Sequence, residues 1–266
     1  MRIESTKNND MMVRQIGIEK FLFLKGRALN DFDLLDRDIC GNISSKHDVC
    51  FHNSDIVIER SNLEDVGFFD KIPAIPYEIT HTEFGHHVDE KSSSLIINPS
   101  ACYHCFMLMK QGFIPCSQGI YSTKAFCKRH ENTEHSNPFR LTSFSMREFV
   151  IVGEEEYIRE QANLIFDQVE IQISSMVSNT RRSIASDSFM GQNADMYKRY
   201  QKAMELKTEL VYEYKSFTIA LASINWHQKT MINSFVDKDN HKYKSACVAI
   251  GLDRLFLAKT ISGETS

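Results

Sequence analysis

The most informative part of the chain is FCKRHE at residues 126–131, followed by FRLTSFSMREF at residues 139–149. Apolar residues on both sides of a polar loop rich in turn formers, Glu131–Pro138, predict two strands that this loop connects. We expect the first strand over Lys124–Lys128 and the second within Leu141–Val152. The stretch therefore predicts a pair of strands with a long charged loop between them.

Arg129 and Glu131 lie where the first of these strands enters the loop. Residues two apart in a strand share a face, so both side chains are expected to point at one ligand. An arginine in that place can bind a phosphate through two parallel hydrogen bonds, and a carboxylate beside it can orient an amine or a ribose. The pair therefore indicates a site for a phosphorylated ligand.

The remainder of the second half has clear secondary-structure signals. Glu154–Val177 is predicted as a long helix with an apolar face and three glutamates in its first turn, and Asp195–Lys207 as a second helix. Three further strands and a final helix are predicted over Glu209–Tyr214, Phe217–Ile224, Ala246–Ile250 and Leu252–Thr260. Strands with hairpin-like connections and flanking helices predict an α+β domain built on an antiparallel sheet.

The first hundred residues give weaker signals. Ile56–Ile58 is a candidate strand. Pro73 and Pro76 interrupt Ile72–Ile79, which favours an edge strand or an extended segment there. We find neither an internal repeat nor a low-complexity linker.

Composition narrows the classes of function. The 266 residues carry a formal net charge of −4, which disfavours a large nucleic-acid surface, since phosphate neutralisation needs clustered Lys and Arg. No run of eighteen apolar residues is present, so we expect no membrane span. The polar start of the chain and seven cysteines without a tight framework favour reduced thiols in the cytoplasm.

Two stretches together resemble the class II aminoacyl-tRNA synthetases. In the motif 2 of that class, an Arg-x-Glu segment opens the motif and a Phe-x-x-x-Glu segment closes its second strand, as at residues 129–131 and 144–148 here. The run ACVAIGLDRL at residues 246–255 resembles motif 3, a strand that enters a helix through Gly-x-x-Arg, with Asp253 where Glu is more usual. The resemblance implies an antiparallel sheet flanked by helices and a bound ATP.

A narrower resemblance is to the amino acid:carrier protein ligases, truncated homologues of the zinc-dependent seryl-tRNA synthetases of methanogens. It extends over residues 97–259, while residues 1–90 match poorly, so we expect one catalytic domain over 1–266 with a divergent amino-terminal part. The segments that carry it are NPSACY at 98–103, SFSMREFV at 143–150, DSF at 187–189, ASINWHQ at 222–228 and SAC at 245–247.

The resemblance implies a zinc site. Members of that family bind zinc through a Cys, a Glu and a second Cys, which here correspond to Cys102, Glu148 and Cys247. Three protein ligands leave one tetrahedral position open, as in catalytic zinc sites. In that family the open position accepts the amino group of the substrate.

The resemblance also implies a two-step reaction with ATP and Mg²⁺. A small amino acid, glycine or alanine, would be activated as its adenylate and then transferred to the phosphopantetheine thiol of a carrier protein. Arg129 and Arg254 would act on the phosphates, with Glu131 and Phe144 at the nucleotide. Substrate binding would fall to Glu148, Ser223 and Asn225. The family likeness further implies a homodimer and no tRNA partner.

One departure keeps alternatives open. Class II enzymes commonly carry a magnesium-binding Glu on the strand before the Ser-x-Asn segment, but residues 217–221 read FTIAL. A non-catalytic paralogue that acts as a binding or regulatory module is therefore one alternative. A tRNA-charging synthetase is another, although the acidic charge and the lack of a long, basic, heptad-patterned arm oppose it.

Several of these residues also have ordinary structural explanations. Glu148 could form a salt bridge with a nearby arginine, and Cys247 could be a core cysteine on an apolar strand. Cys102 and Cys105 form a C-x-x-C spacing that suits a redox pair or half a zinc knuckle. The adjacent His86 and His87, with His104, match no defensible metal spacing, and Arg140 and Arg147 could contact phosphate or pair with acids.

Overall fold

A computed structural model of the chain describes residues 10–72, 76–79, 82–83, 86–87, 95–130, 137–235 and 242–264. The strands are β1 Met11–Ile16, β2 Glu19–Leu24, β3 Val49–Phe51, β4 Val57–Glu59, β5 Glu78–Ile79, β6 Thr82–Glu83, β7 His86–His87, β8 Leu95–Ile97, β9 Gly119–Lys128, β10 Ser143–Gly153, β11 Thr180–Ile184, β12 Lys207–Tyr214, β13 Phe217–Gln228 and β14 Lys244–Gly251. The helices are α1 Gly26–Ser44, α2 Arg60–Glu64, α3 Phe68–Lys71, α4 Cys102–Lys110, α5 Glu155–Met176, α6 Ala194–Ala203, α7 Thr230–Phe235 and α8 Leu252–Glu264.

A seven-stranded sheet forms the centre of the fold, in the order β11-β12-β13-β14-β10-β9-β3. Its neighbouring strands are antiparallel except β3 and β9, which are parallel. The predicted α+β class with an antiparallel sheet flanked by helices is confirmed. Two-stranded sheets β1-β2 and β6-β7 and a three-stranded sheet β4-β8-β5 come from the first hundred residues.

Both faces of the sheet are covered, which explains the long apolar run in β10. Phe149 and Ile151 belong to a core with α1, α5 and α8, whereas Val150 and Val152 belong to a second core with α4 and α7. All four side chains are fully buried. A strand buried on both faces has no need of alternating polar residues.

The long helix α5 confirms the prediction over Glu154–Val177 to within one residue at each end. Its buried residues recur at helical spacing, so one face packs on the sheet and the other faces solvent. These residues are Ile158, Ala162, Ile165, Phe166, Val169 and Ile173. Within the described ranges, no helix is long and apolar enough to cross a membrane.

The predicted helix over Asp195–Lys207 is wrong at its carboxyl end. Helix α6 stops at Ala203, and Glu205 adopts a left-handed backbone with φ of 50°. Lys207 begins β12 instead, because pairing with β13 satisfies its backbone groups within the sheet. The helix α1 was not predicted, and the Ile56–Ile58 strand appears as β4 over Val57–Glu59. Of the predicted edge segment at Ile72–Ile79, residues 73–75 lie outside the described part of the chain.

Candidate active site

Two adjoining cavities lie on the face of the sheet that carries the second core. The larger has a volume of about 430 Å³ and the smaller about 90 Å³. Both are lined by Arg129, Lys207, Glu209, Ser223 and Arg254, so together they form one cleft. A cleft of this size, lined largely by polar groups, suits a small ligand with several polar contacts.

Strand pairing arranges the floor of the cleft in two rows that cross four strands. The register aligns Val150 with Cys247, Cys247 with Asn225, and Asn225 with Lys207. We call these residues the cysteine row. The neighbouring row, the glutamate row, consists of Glu148, Ala249, Ser223 and Glu209. Residues two apart in a strand share a face, so both rows lie on the face of the sheet that carries the cleft, and all of these residues line it except Val150, which is buried in the second core.

Three side chains with metal-binding atoms converge at one end of the cleft. The sulfurs of Cys102 and Cys247 and one ring nitrogen of His227 all lie within 4.8 Å of one another. We call these three residues the Cys-His-Cys cluster. Cys102 opens helix α4 and Cys247 lies in β14, so the cluster joins the helix layer to the sheet. Two sulfurs and an imidazole form a donor set that zinc prefers.

Burial favours the neutral forms of the two thiols and the imidazole of the cluster. A hydrogen bond from Cys247 lowers the pKa of Cys102, but burial and the carboxylate of Glu148 outweigh it and the pKa is raised. Burial lowers the pKa of His227 to about 4, so its ring is neutral and can donate a lone pair. A cation among these groups would reverse the penalty on the thiolates.

Glu148 lies beside the cluster and is almost fully buried, with 1% of its surface exposed. Its Oε1 accepts hydrogen bonds from Ser100 Oγ at 2.7 Å and from the Ala101 backbone N at 3.2 Å. Its Oε2 is buried and has no hydrogen-bond partner among the described residues. A buried carboxylate oxygen without a partner is costly unless a cation binds it. The Oε2 atom therefore makes Glu148 fit a metal site.

The alternative for Glu148, a salt bridge with the neighbouring Arg147, is not found, since Arg147 has another partner in the described structure. Arg147 points to the opposite face of β10 and forms two hydrogen bonds of 2.8 Å with Asp36 on α1. This ion pair is buried and joins α1 to the sheet. Of the two arginines that could contact phosphate or pair with acids, Arg147 thus pairs with an acid and has a structural role. Arg140 lines the larger cavity.

His227 is a residue that our sequence analysis did not single out. It follows Ser223 and Asn225 at the same spacing of two, so its side chain reaches the same face of β13. The pairing of β13 with β14 is irregular between Trp226 and Gln228. His227 Nδ1 lies 3.2 Å from Ser245 Oγ, which fixes the ring. Its position two residues after Asn225 is the sequence signal that could have placed His227 on the same face of the strand as the predicted substrate residues.

The other end of the cleft carries the predicted phosphate-binding arginines. The Arg129 guanidinium lies over the Phe144 ring, with 4.6 Å to the ring centroid. Arg254 Nε donates a hydrogen bond of 3.2 Å to the Phe139 backbone carbonyl. Phe144 and Asp253 line the smaller cavity with both arginines. We call this the arginine end; Glu131, predicted to act with Arg129, lies outside the described residues.

Of the three predicted substrate residues, Glu148 lies at the cluster end, whereas Ser223 and Asn225 lie between the two ends. Asn225 Nδ2 donates hydrogen bonds to Ser223 Oγ at 3.0 Å and to Cys247 Sγ at 3.5 Å. Asn225 therefore contacts the cluster directly, and Ser223 is connected to the cluster through Asn225. Residues 217–221 contain no acid, but Glu209 on the neighbouring strand pairs with Ser223 across β12 and β13. A carboxylate is thus present beside Ser223.

His104 and Cys105 have structural roles. His104 is buried and bonds Asn98 Nδ2 at 3.1 Å and the Val57 carbonyl at 2.9 Å. Cys105 is fully buried in the second core and is not a member of the cluster. The C-x-x-C spacing therefore places Cys102 in the cleft and Cys105 in the core. The side chains of His86 and His87 are outside the described part of the structure.

Comparison with solved structures identifies the fold as that of the class II aminoacyl-tRNA synthetases. The M. kandleri SerRS in complex with A. aeolicus tRNASec superposes with a TM-score of 0.74, and covers 94% of this chain and 55% of that chain. The Giardia lamblia prolyl-tRNA synthetase in complex with prolyl-adenylate gives 0.70, with 94% and 50%. Each is 11% identical in sequence, so the likeness concerns the fold.

Comparison with curated proteins gives more specific relatives. The chain is 27% identical over 223 residues to amino acid–[acyl-carrier-protein] ligase 2 of Bradyrhizobium diazoefficiens, a match to 76% of this chain and 66% of the relative. Ligase 1 of the same organism is 28% identical over 171 residues, which is 62% of this chain and 52% of the relative. The matches thus span less than two thirds of either relative. No family model matches the chain.

Proposed function

We propose that the chain is an adenylate-forming ligase that activates a small amino acid with ATP and transfers it to the phosphopantetheine thiol of a carrier protein. The observation that carries this proposal is a single cleft with the Cys-His-Cys cluster and Glu148 at one end and Arg129 with Arg254 at the other. The class II fold and the carrier protein ligases among the relatives support it.

The cluster end would hold zinc. Cys102, Cys247 and Glu148 are the ligands we infer, and His227 is a further donor of suitable chemistry within reach. Bound zinc would supply a Lewis-acid position for a free amino group and thereby select amino acids over other carboxylic acids. The residues themselves provide two buried sulfurs and a carboxylate whose one oxygen Ser100 and Ala101 hold in place.

The arginine end would hold ATP with Mg²⁺. Arg129 would stabilise negative charge on the α-phosphate, and Arg254 would hold the γ-phosphate. The Phe144 ring, over which the Arg129 guanidinium lies, would pack near the adenine base of ATP. Glu131 would help to position the nucleotide. Mg²⁺ takes oxygen ligands, usually one or two carboxylates together with the phosphates, and Glu209 beside Ser223 is the carboxylate we assign to it. This assignment answers the lack of an acid in residues 217–221.

The reaction needs positioning rather than an enzyme nucleophile. In the first step a carboxylate oxygen of the amino acid attacks the α-phosphorus of ATP, and the bond to the bridging oxygen breaks to release pyrophosphate. In the second step the carrier thiol loses its proton to solvent and attacks the carbonyl carbon, and AMP leaves with its bonding electrons. Fixed cations around the phosphates and exclusion of water account for the acceleration of such steps.

The further expectations remain proposals of the same kind. They are one catalytic domain over residues 1–266, a homodimer, no tRNA partner and a cytoplasmic location. Glycine or alanine is the amino acid we expect. A tRNA-charging synthetase and a non-catalytic paralogue are the competing functions, and Glu209 in the cleft weakens the argument for the second.

ATP–pyrophosphate exchange against the twenty amino acids tests the proposal. We expect exchange with one or two small amino acids, about one zinc per chain, and loss of both in Cys102→Ala and Cys247→Ala. Loading of phosphopantetheinylated carrier protein and of tRNA would then identify the acceptor. A folded, zinc-loaded protein without exchange would contradict the proposal and favour the non-catalytic paralogue.

A further inference from the structure

Lys207 is a charged residue in the cleft with no part in the reaction proposed above. It opens β12 and lines both cavities, and 16% of its side chain is exposed. Its ammonium pairs with Asp187 at 2.7 Å and with Glu209 at 3.3 Å. These two carboxylates compensate the positive charge of the largely buried ammonium.

The two partners hold Lys207 differently. Asp187 is itself fixed, because its backbone N and its Oδ2 bond the side-chain amide of Gln201 at 2.7 and 2.9 Å. Its Oδ1 accepts a hydrogen bond from Lys207 Nζ at 2.7 Å. Glu209 contacts the ammonium only at ion-pair distance. Asp187 thus orients the ammonium, and the Glu209 contact is the one that an incoming anion can replace.

The strand register places Lys207 in the cysteine row. Asn225 separates it from Cys247, so the Cα atoms of Lys207 and Cys247 are two strand spacings apart, or about 10 Å. A lysine side chain with its four-carbon stem covers much of that distance. Among the lysines and arginines that line the described cleft, Lys207 shares the row of the cluster. Arg129 and Arg254 belong to the arginine end, and Arg140 precedes β10 and is in neither row.

The chemistry of an α-amino acid fits this spacing. Its amino nitrogen and its carboxyl carbon are about 2.5 Å apart, since one carbon joins them. An amino group at the cluster therefore keeps the carboxylate near the cysteine row, where a cation is needed to hold it before it attacks ATP. Resting on the proposed function, we propose that the Lys207 ammonium binds the carboxylate of the amino acid substrate, and that Asp187 positions it.

A pair of ligands that differ only in the carboxylate tests this assignment. Alanine and 2-aminopropan-1-ol, and likewise glycine and 2-aminoethanol, share the amine but differ in the anionic group. Calorimetry on zinc-loaded protein gives the dissociation constant of each without any turnover. We expect Lys207→Met to weaken the amino acid by about 10- to 100-fold, the range for a lost hydrogen bond to a charged group, and to leave the amino alcohol nearly unchanged.

Two variants serve as controls. Lys207→Arg keeps the charge and should retain most of the preference for the amino acid. Lys215→Met removes an exposed lysine just beyond the same strand and should change neither ligand. Thermal melting of each variant verifies that it is folded.

The outcomes separate this inference from the function on which it rests. Equal weakening of the amino acid and the amino alcohol in Lys207→Met would overturn it, because the lysine would then only shape the cavity. Unchanged binding of both would overturn it as well. If the wild-type protein exchanges pyrophosphate and Lys207→Met still prefers the amino acid over the amino alcohol as the wild type does, the role of Lys207 is refuted and the proposed function is not. A wild-type protein that binds no amino acid and shows no exchange refutes the proposed function too.

Discussion

The sharpest prediction concerns the unpartnered Oε2 atom of Glu148. A change of Glu148 to Gln keeps one oxygen as the acceptor of the hydrogen bonds from Ser100 and Ala101. The oxygen that has no partner among the described residues becomes an amide NH2 group. The metal-free protein therefore loses a buried charge and no hydrogen bond. We expect metal-free Glu148→Gln to be at least as stable as metal-free wild type, since an unpaired buried charge is unfavourable.

Zinc should reverse that order. At a free zinc concentration a thousandfold above the dissociation constant, binding stabilises the wild type by about 4.1 kcal/mol. If the loss of the carboxylate weakens zinc by about 100-fold, the same concentration stabilises the variant by about 1.4 kcal/mol. For a chain of this size each kcal/mol corresponds to about 2–4 °C in Tm. The zinc-induced rise in Tm should therefore shrink by about 5 °C or more.

Differential scanning calorimetry with buffered zinc measures both quantities. Glu160→Gln on the exposed side of α5 is a matched control and should behave as wild type. An equal rise in Tm for wild type and Glu148→Gln would show that Glu148 is not a zinc ligand. A metal-free variant several kcal/mol less stable than wild type would show that its carboxylate is needed by the fold instead.

Three more substitutions test other parts of the structure. His227→Gln should lower zinc affinity and alter the visible absorption of the cobalt-substituted protein if His227 is a ligand, whereas an unchanged spectrum would exclude it. Arg147→Met removes both hydrogen bonds to the buried Asp36 and leaves this carboxylate with the ion pair to Lys124 at 3.7 Å, so we expect a loss of about 1–3 kcal/mol in the free energy of unfolding by urea; no measurable loss would refute a structural role. Burial raises the pKa of Asp253 from 3.8 to about 6, so folding disfavours its charged form, and the penalty grows as pH rises from 3.8 to about 6 and stays constant above that. Asp253→Asn should therefore stabilise the protein at pH 8 by at most about 3 kcal/mol, and the gain should shrink between pH 6 and pH 4, a trend that unfolding at several pH values would reveal or disprove.

The second half of the fold was predictable from the sequence because its signals are local. Helix α5 has a complete apolar face at helical spacing, and the strands from β12 to β14 are bounded by turns. Helix α1 has the same kind of spacing, at Phe32, Leu35, Ile39 and Ile43, but it was not predicted. Its buried face includes Asp36, whose partner Arg147 lies 111 residues away, and a charged residue in the apolar stripe obscures the pattern.

The residues of the site could be predicted from the sequence only where they belong to a family motif or follow from the alternation of side chains along a strand. Adjacent residues of a strand point to opposite faces of the sheet, so Arg147 and Glu148 are expected in different environments. In the structure Arg147 bonds Asp36 on α1, and Glu148 lines the cleft. Lys207 and Glu209 depend instead on which residues of β12 stand opposite Asn225 and Ser223. That register follows from packing across four strands, which a single sequence does not display.

The two rows also explain why the fold can hold chemistry without weakening its core. Odd-numbered residues of β10 and even-numbered residues of β14 bury Phe149, Ile151, Val248 and Ile250 against α1, α5 and α8. The alternate residues are released from that core, and pairing lines them up as the cysteine row and the glutamate row. Because strand neighbours are about 4.8 Å apart, each row offers fixed positions at a spacing comparable to that of the groups on a small ligand. Because Glu209 of β12 and Ser223 of β13 stand side by side in one row, our proposal can assign the Mg²⁺ carboxylate to β12 although residues 217–221 of β13 carry no acid.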